Sequence, residues 1–274
     1  MKQRTVTGVS AISQAFAGAN AQGRPALLTY LTLGYPTREA SLALVPALER
    51  AGADIIELGT PFSDPIADGP TIQAASHAAL QAGITPGGCL SLAAEVRERG
   101  VCAPFVMMGY YNPILSYGPA AYARACAAAG IDGLIVPDLP PEEADELSAA
   151  CRAQGLALIY LVAPNTGDER LRYLAAATTG FLYVVSRLGT TGSGQSPAAQ
   201  LAARLEQVRQ VARTPVAVGF GISRPEHARA LIGTVDGVIV GSAVVERAPQ
   251  GVAAVERFVG ELRRALEPDT TWSN

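Results

Sequence analysis

The chain is almost without lysine and histidine. Its 274 residues contain one Lys, at position 2, and two His, at positions 77 and 227. An enzyme that forms an imine with its substrate, or that uses pyridoxal phosphate, needs a desolvated interior Lys, which Lys2 at the N-terminus does not offer. A catalytic zinc site usually takes two or three His or Cys ligands, whereas His77 and His227 both fall in helical patterns. Acid–base chemistry is therefore expected to depend on carboxylates, tyrosines or water, without a metal.

Other absences narrow the class of protein further. The formal net charge is −3 and no block of basic residues occurs, so nucleic acid is not an expected partner. No apolar run is long enough to span a membrane, and the N-terminus lacks the apolar core of a secretory signal, which favours a cytoplasmic protein. The four cysteines form no CxxC pair and are interpreted as reduced packing thiols.

Short apolar runs alternate with helical patterns along the whole chain. Continuous apolar strands between helices are typical of a parallel sheet that is covered on both faces. Eight such units fit a closed (β/α)8 TIM barrel, with an extra N-terminal helix near Val9–Ala17. We expect a single domain over residues 1–274 with a loose tail from about 267 to 274. The predicted strands are Ala26–Leu33, Asp54–Leu58, Ala103–Met108, Gly133–Pro137, Ala157–Val162, Phe181–Ser186, Pro215–Val218 and Gly237–Val240.

One strand differs from the others in carrying an acid. Glu57 lies near the end of its apolar run, and the Pro- and Gly-rich loop from Gly59 to Gly69 holds a second candidate acid, Asp68. Barrel enzymes keep their chemistry at the carboxyl ends of the strands and in the loops that follow. A second long loop, from Arg187 to about Ser196, is rich in glycine and hydroxyl residues. Both loops are candidate lids.

Glycine motifs follow the last two predicted strands, at Gly219–Ser223 and at Val240–Ala243. Barrels often bind phosphate with the loops after strands seven and eight, where glycine lets backbone N–H groups approach the anion. We therefore predict a phosphate site built from backbone amides and from hydroxyls such as that of Ser242. Each motif taken alone also fits an ordinary turn.

The loop sequence after Glu57 carries a family resemblance. The run Glu-Leu-Gly-Thr-Pro-Phe-Ser-Asp-Pro-Ile-Ala-Asp-Gly-Pro-Thr-Ile-Gln resembles the signature of the tryptophan synthase alpha chain family. The similarity continues, in the expected order, through nearly every barrel strand and its following loop. It includes the segments Tyr30–Pro36, Gly109–Ile114, Gly133–Pro140, Ala163–Thr166 and Val185–Gly192, together with the Gly-Phe-Gly-Ile-Ser and Gly-Ser-Ala motifs.

The resemblance implies a reaction and a set of site residues. The family is a lyase that cleaves indole-3-glycerol phosphate to indole and glyceraldehyde 3-phosphate, a retro-aldol step without metal or organic cofactor. Glu57 matches its general acid–base, which protonates indole C3, and Asp68 matches the carboxylate that binds the indole N–H. Tyr183 and Thr191 match positions near these groups. The phosphate cradle would comprise Gly192, Gly221, Gly241 and Ser242, and the indole cavity would be lined by Leu27, Met108, Ile135, Leu161 and Phe220.

The resemblance also implies a partner, the beta chain, which contains its own pyridoxal phosphate and forms an alpha2-beta2 heterotetramer with the alpha chain in tryptophan biosynthesis. The residues expected to face it are Asp64, Pro65, Asn112 and Pro140. Two alternatives within the family remain open, a stand-alone indole-releasing lyase and a non-catalytic subunit that only activates the beta chain. An unrelated phosphate-binding barrel, such as a sugar-phosphate epimerase, is the fold-level alternative, against which the missing metal-binding histidines weigh.

Overall fold

The computed structural model describes residues 4–186, 197–219 and 221–268. Its strands are β1 Ala26–Thr32, β2 Ile55–Gly59, β3 Phe105–Met108, β4 Gly133–Ile135, β5 Ala157–Ile159, β6 Leu161–Val162, β7 Leu182–Val185, β8 Val216–Gly219 and β9 Gly237–Val240. Its helices are α1 Gly8–Asn20, α2 Arg38–Arg50, α3 Pro70–Gln81, α4 Pro86–Glu98, α5 Tyr111–Tyr117, α6 Pro119–Ala128, α7 Asp145–Ala153, α8 Asp168–Ala177, α9 Pro197–Val211, α10 Pro225–Arg229, α11 Ser242–Val245 and α12 Val252–Ala265. Short 3-10 turns lie at Pro141–Glu143 and Ala248–Gln250.

All strand pairs are parallel, and the sheet closes on itself. β1 pairs with β2 on one side and with β9 on the other. β5 and β6 are two pieces of one strand interrupted at Tyr160; the first pairs with β4 and the second with β7. When β5 and β6 are counted as one strand, the sheet is an eight-stranded parallel barrel. This confirms the predicted TIM barrel and its extra N-terminal helix.

The strands are apolar on both faces because they separate two cores. Side chains that point into the barrel, such as Leu28, Ile55 and Ile239, form an inner cluster that α1 closes with Ile12 and Phe16. Side chains of the opposite parity, such as Leu27 and Ile56, pack with the surrounding helices in an outer cluster. Because successive residues of a strand point to opposite faces, one position along a strand decides between the barrel interior and the helix layer.

Three aspartates fix the amino ends of the barrel. The carboxylates of Asp54, Asp132 and Asp236 accept backbone N–H groups of Leu27, Phe105 and Val216, respectively, each at the start of the preceding strand or next to it. These N–H groups are satisfied at the barrel edge, where the ladder offers no further carbonyl. The carboxyl end of the barrel is thereby left to the loops that carry the candidate acids.

Two parts of the helical layer are irregular. The segment after β4 is a 3-10 turn followed by α7, and the two are joined at Ala144, whose backbone (φ −94°, ψ 5°) is outside the α region. The region between β2 and β3 contains α3 and α4 in tandem, each with a proline in its first turn, where the missing N–H costs nothing. Among the described helices, none is sufficiently long and apolar to cross a membrane.

Candidate active site

Glu57 carries a buried carboxyl. It lies in β2, only 1% of the residue is exposed, and within the described part of the chain its Oε1 atom has no hydrogen-bond partner. Desolvation by burial raises the pKa of Glu57 from 4.5 to about 8, since the charged form is disfavoured in a dry interior. An acid with this pKa still holds its proton at neutral pH and can donate it to a bound substrate.

Asp68 is a second acid with a different environment. The hydroxyl of Tyr110 donates a hydrogen bond to its Oδ2 atom over 3.0 Å. Burial raises the pKa of Asp68 to about 6, and the Tyr110 hydrogen bond opposes this shift. Asp68 therefore ionises at a lower pH than Glu57, so that near pH 7 one group is an acid and the other a carboxylate.

The loop from Thr60 to Gly69 is held in place by side chains from outside it. Tyr110 accepts the backbone N–H of Ala67 at 2.9 Å and stacks on Phe62 with ring centroids 5.1 Å apart. Gln73, in the first turn of α3, donates to the Asp68 carbonyl at 2.9 Å. These contacts fix the position of Asp68 although the loop contains no regular structure.

Two tyrosines, Tyr30 and Tyr183, lie near the acids. The glycines Gly59 and Gly219 leave space for the rings of these tyrosines. An added Cβ at Gly59 would lie 2.0 Å from the Tyr30 hydroxyl, and one at Gly219 would lie 2.3 Å from the Tyr183 hydroxyl. Any side chain at either strand end would collide with a phenol ring. Burial is the main cause that raises the pKa of both tyrosines well above the usual value, so they remain neutral hydroxyls.

Two adjoining cavities open at this end of the barrel. The smaller, about 50 Å³, is lined by Tyr30, Asp68, Ile72, Met108, Tyr183, Gly221, Ile222, Ile239, Gly241 and Ser242. The larger, about 400 Å³, has mainly apolar walls that include Val136, Leu161 and Val185. Met108 and Tyr183 line both cavities, so the two spaces are neighbours and share a wall.

Three of the four predicted phosphate-binding residues, Gly221, Gly241 and Ser242, line the small cavity. Gly221 has φ +79°, a left-handed conformation that favours glycine, and Gly241 directly precedes α11. The N–H groups of Ser242 and Ala243 lie in the first turn of α11, where no carbonyl within the helix is available to them. Gly221, Gly241 and Ser242 thus line the same cavity as Asp68.

The structure corrects the prediction for Leu27. Leu27 is fully buried in the outer cluster, against the helices, and the expectation that it lines the pocket is wrong. The cavity wall of β1 is formed by Tyr30, three residues later and on the opposite face of the strand. Ile135 belongs to the inner cluster with Met108 and is not among the residues that line either cavity. Thr191, Gly192 and Phe220 lie outside the described residues.

Sequence reasoning also missed side chains that surround the acids. Tyr30, Ile72, Ile222 and Ile239 line the small cavity. Tyr110, which holds Asp68, lies in the Gly-Tyr-Tyr-Asn motif, whose position after β3 was the available signal. Within the described residues, no three His, Cys, Asp or Glu side chains lie close enough together to hold a metal ion.

The residues expected at a partner interface lie around the same end of the barrel. Asp64 and Asn112 are exposed, while Pro65 and Pro140 are partly exposed. Two large apolar side chains beside them also face solvent, Ile66 with 83% and Leu115 with 52% exposure. Exposed apolar side chains near a site are consistent with a docking surface.

Parallel barrels that bring desolvated acids to the carboxyl ends of their strands form a class of enzymes, and this chain has that architecture. A family model described as "Tryptophan synthase alpha chain" matches residues 16–267. The chain therefore belongs to the tryptophan synthase alpha chain family.

Individual relatives agree with this assignment. A tryptophan synthase alpha chain from Roseiflexus sp. is 53% identical over 93% of this chain and 100% of its own length. A tryptophan synthase from Saccharomyces cerevisiae is 46% identical over 88% of this chain but only 34% of its own length. Among solved structures, Mycobacterium tuberculosis tryptophan synthase in space group F222 is 40% identical, with a TM-score of 0.86 and coverage of 94% of this chain and 98% of that one.

Proposed function

We propose that this chain cleaves indole-3-glycerol phosphate to indole and glyceraldehyde 3-phosphate as the alpha subunit of a tryptophan synthase. The observation that carries the proposal is the Glu57 carboxyl, buried without a partner and with a pKa of about 8, in the same barrel end as Asp68. Such a pair supplies a proton donor and a carboxylate at neutral pH, which a retro-aldol cleavage without imine or metal requires.

The chemistry follows from the two protonation states. Glu57 in its acid form donates its proton to indole C3, and the ring becomes an iminium cation with its charge on the nitrogen. Asp68 as a carboxylate accepts the ring N–H and stabilises that charge. The Glu57 carboxylate then removes the proton from the hydroxyl next to the ring. As the aldehyde carbonyl forms, the carbon–carbon bond breaks, its electron pair returns to the ring, and Glu57 is again protonated.

The cavities suggest how the substrate lies. The phosphate group would meet the N–H donors at Gly221, Gly241 and Ser242 in the small cavity. The indole ring would contact the apolar side chains that line the shared wall and the larger cavity, among them Met108 and Leu161. Thr191, Gly192 and Phe220 are proposed to complete the enclosure from outside the described residues, as the family resemblance implies.

Asp68→Asn is expected to lower kcat for indole release by about 10²-fold or more, because an amide cannot balance the charge that develops on the ring. The effect on KM should be smaller, since the charge exists only during reaction. Steady-state indole release, measured over a range of substrate concentrations, checks this. Tyr110→Phe is the companion variant: it leaves the carboxylate in place and should cost less. A kcat for Asp68→Asn within a few-fold of wild type would contradict the assigned role.

The proposed partner is a tryptophan synthase beta chain that contains the pyridoxal phosphate; this chain would need no cofactor and would act in the cytoplasm. The match covers only 34% of the Saccharomyces cerevisiae tryptophan synthase, so that protein contains a further region beside the part that resembles this chain. This supports the idea that the chain works beside a second protein unit. We propose that Asp64, Pro65, Asn112 and Pro140 face the partner, together with the exposed Ile66 and Leu115. An alpha2-beta2 assembly is the expected stoichiometry.

Indole release should be faster when a purified tryptophan synthase beta chain is added, because the partner would close the long loops over the site. Ile66→Asp should reduce the stimulation by weakening the docking surface, and its rate without partner should stay near wild type. Titrating the beta chain into both proteins while following indole release provides the measurement. Equal rates with and without the partner would instead favour a stand-alone lyase. The presence of both Glu57 and Asp68 argues against a non-catalytic activating subunit.

A further inference from the structure

Tyr30 lies directly beside the proposed general acid. It is in β1, and the strand register pairs its Cα with that of Glu57 in β2. In-register residues of parallel strands point to the same face of the sheet, which here is the barrel interior. Tyr30 lines the small cavity, whereas Glu57 does not. The phenol ring is thus part of the cavity wall, whereas the buried Glu57 in the neighbouring strand is not among the residues that line it.

The ring of Tyr30 is held in one orientation. Its hydroxyl is 3.3 Å from the Thr32 Oγ1 atom, within hydrogen-bond distance. The ring approaches Gly59 so closely that a Cβ at that position would be 2.0 to 2.7 Å from its outer atoms. Only 5% of Tyr30 is exposed, so its ring is almost fully covered by its neighbours. The hydroxyl is directed towards Thr32, which leaves the flat apolar ring as the part of Tyr30 beside Glu57.

The groups that face Glu57 contain no basic residue in the described part of the chain. Val106, its Cα partner on β3, is apolar and fully buried. The titratable groups that interact with it electrostatically are the tyrosines Tyr30 and Tyr183. Asp68, which acts on the same two tyrosines, is the other acid of this end of the barrel. Among the described residues no cation lies beside Glu57, and burial is the cause that raises its pKa, so exclusion of water determines whether this group keeps its proton.

We propose that Tyr30 is a positioning residue whose ring covers the Glu57 carboxyl, excludes water from it, and so keeps this group in the acid form at neutral pH. The inference rests on the proposed function. It explains how Glu57, the proton donor, stays protonated between turnovers. It assigns the covering role to the ring and not to the hydroxyl, since the hydroxyl is directed towards Thr32.

The test is a titration of Glu57 in the protein without substrate. The signal of its carboxyl carbon is assigned in ¹³C-glutamate-labelled protein by difference from Glu57→Gln and followed with pH. Tyr30→Ala should lower the pKa of Glu57 by about 2 units, because water then reaches the carboxyl. Tyr30→Phe keeps the ring and should change it by less than about half a unit. The matched control is Tyr122→Phe, which removes the hydroxyl of another buried tyrosine in the outer cluster and should leave the titration unchanged.

Further variants keep the result decisive. If Tyr30→Ala does not fold, Tyr30→Leu opens a smaller gap and should move the pKa in the same direction. Gly59→Ala displaces the intact ring and should also lower the pKa. An unchanged Glu57 titration in folded Tyr30→Ala or Tyr30→Leu overturns the proposal. An equal shift in Tyr30→Phe overturns it too, because the hydroxyl would then be responsible.

Activity measurements separate this inference from the proposed function. In the variants with a lowered pKa, the alkaline limb of the kcat/KM profile for indole release should move down by the same amount. If the pKa shifts as expected but no variant or wild-type protein releases indole, the proposed function fails while the covering role stands. If wild type releases indole and the titration does not respond to Tyr30, only the covering role fails.

Discussion

Glu57→Gln is expected to abolish indole release, with kcat lower than wild type by at least about 10²–10⁴-fold. The amide fits the space of the carboxyl but can neither donate a proton to indole C3 nor accept one from the substrate hydroxyl. In wild type, kcat/KM should rise with pH as Asp68 ionises, with a pKa of about 6, and fall as Glu57 loses its proton, with a pKa of about 8. Assays of indole release between pH 5 and pH 10 measure both limbs.

Glu57→Gln should increase the stability of the fold at high pH, although it abolishes activity. The pKa of Glu57 is raised from 4.5 in the unfolded chain to about 8 in the fold. Between these values the unfolded state binds fewer protons than the native state, so the free energy of unfolding falls as pH rises. Glu57→Gln removes this loss and should make the protein more stable than wild type above pH 8, by on the order of 4 kcal/mol.

Urea unfolding at pH 5 and at pH 9 tests this, because the gain should be present only at the higher pH. Glu261→Gln, an exposed glutamate of α12, is the control and should change neither activity nor the pH dependence of unfolding. Substantial indole release by Glu57→Gln would contradict the acid–base role. An equal stability difference at both pH values would contradict the buried acid.

The barrel was predictable because its signal is distributed over the whole chain. Eight apolar runs with helical patterns between them are compatible with few architectures other than a parallel barrel. Each predicted run overlaps a strand of the structure. Glu57 could be singled out from the sequence because a carboxylate in an apolar strand is costly to bury and unusual without a function, and its role remains a prediction. Tyr160, at the break between β5 and β6, carries no comparable signal, because the run remains apolar through it.

The cavity wall was less predictable because both faces of each strand are apolar. In β1, Leu27 faces the helices while Leu28 and Tyr30 face the interior, and a strand with two buried faces lacks the alternation that would distinguish them. An error of one position reverses the face of a residue. Contacts between distant segments depend on the closed barrel: the motif after β3 places Tyr110 at the carboxyl end, but nothing local in the sequence pairs it with Asp68.

Asp132→Ala is expected to destabilise the fold by about 3–5 kcal/mol, the largest stability change that the described contacts support. The Asp132 side chain is fully buried and forms ion pairs with Arg4 at 2.6 Å and with Arg97 at 3.1 Å. It also accepts the backbone N–H groups of Gly8, at 2.6 Å, and Phe105, at 2.9 Å. Truncation would leave buried donors and two cations without their carboxylate, at the point where the N-terminal segment joins the barrel.

Urea unfolding of Asp132→Ala and of the matched control Glu95→Gln measures this difference. Glu95 also pairs with two arginines, Arg38 and Arg99, but all three side chains are partly exposed and screened by water, so its substitution should cost much less than that of Asp132. Because a typical domain is stable by only about 5–15 kcal/mol, Asp132→Ala should also lose structure at a markedly lower temperature. Equal costs for the two substitutions would show that water reaches Asp132 and that neither its three hydrogen-bond donors, in Gly8, Arg97 and Phe105, nor its ion-pair partner Arg4 depends on it. A large cost confined to Asp132 would mean that this buried carboxylate is needed to hold the amino end of the barrel, which is the opposite end from the acids proposed to carry the chemistry.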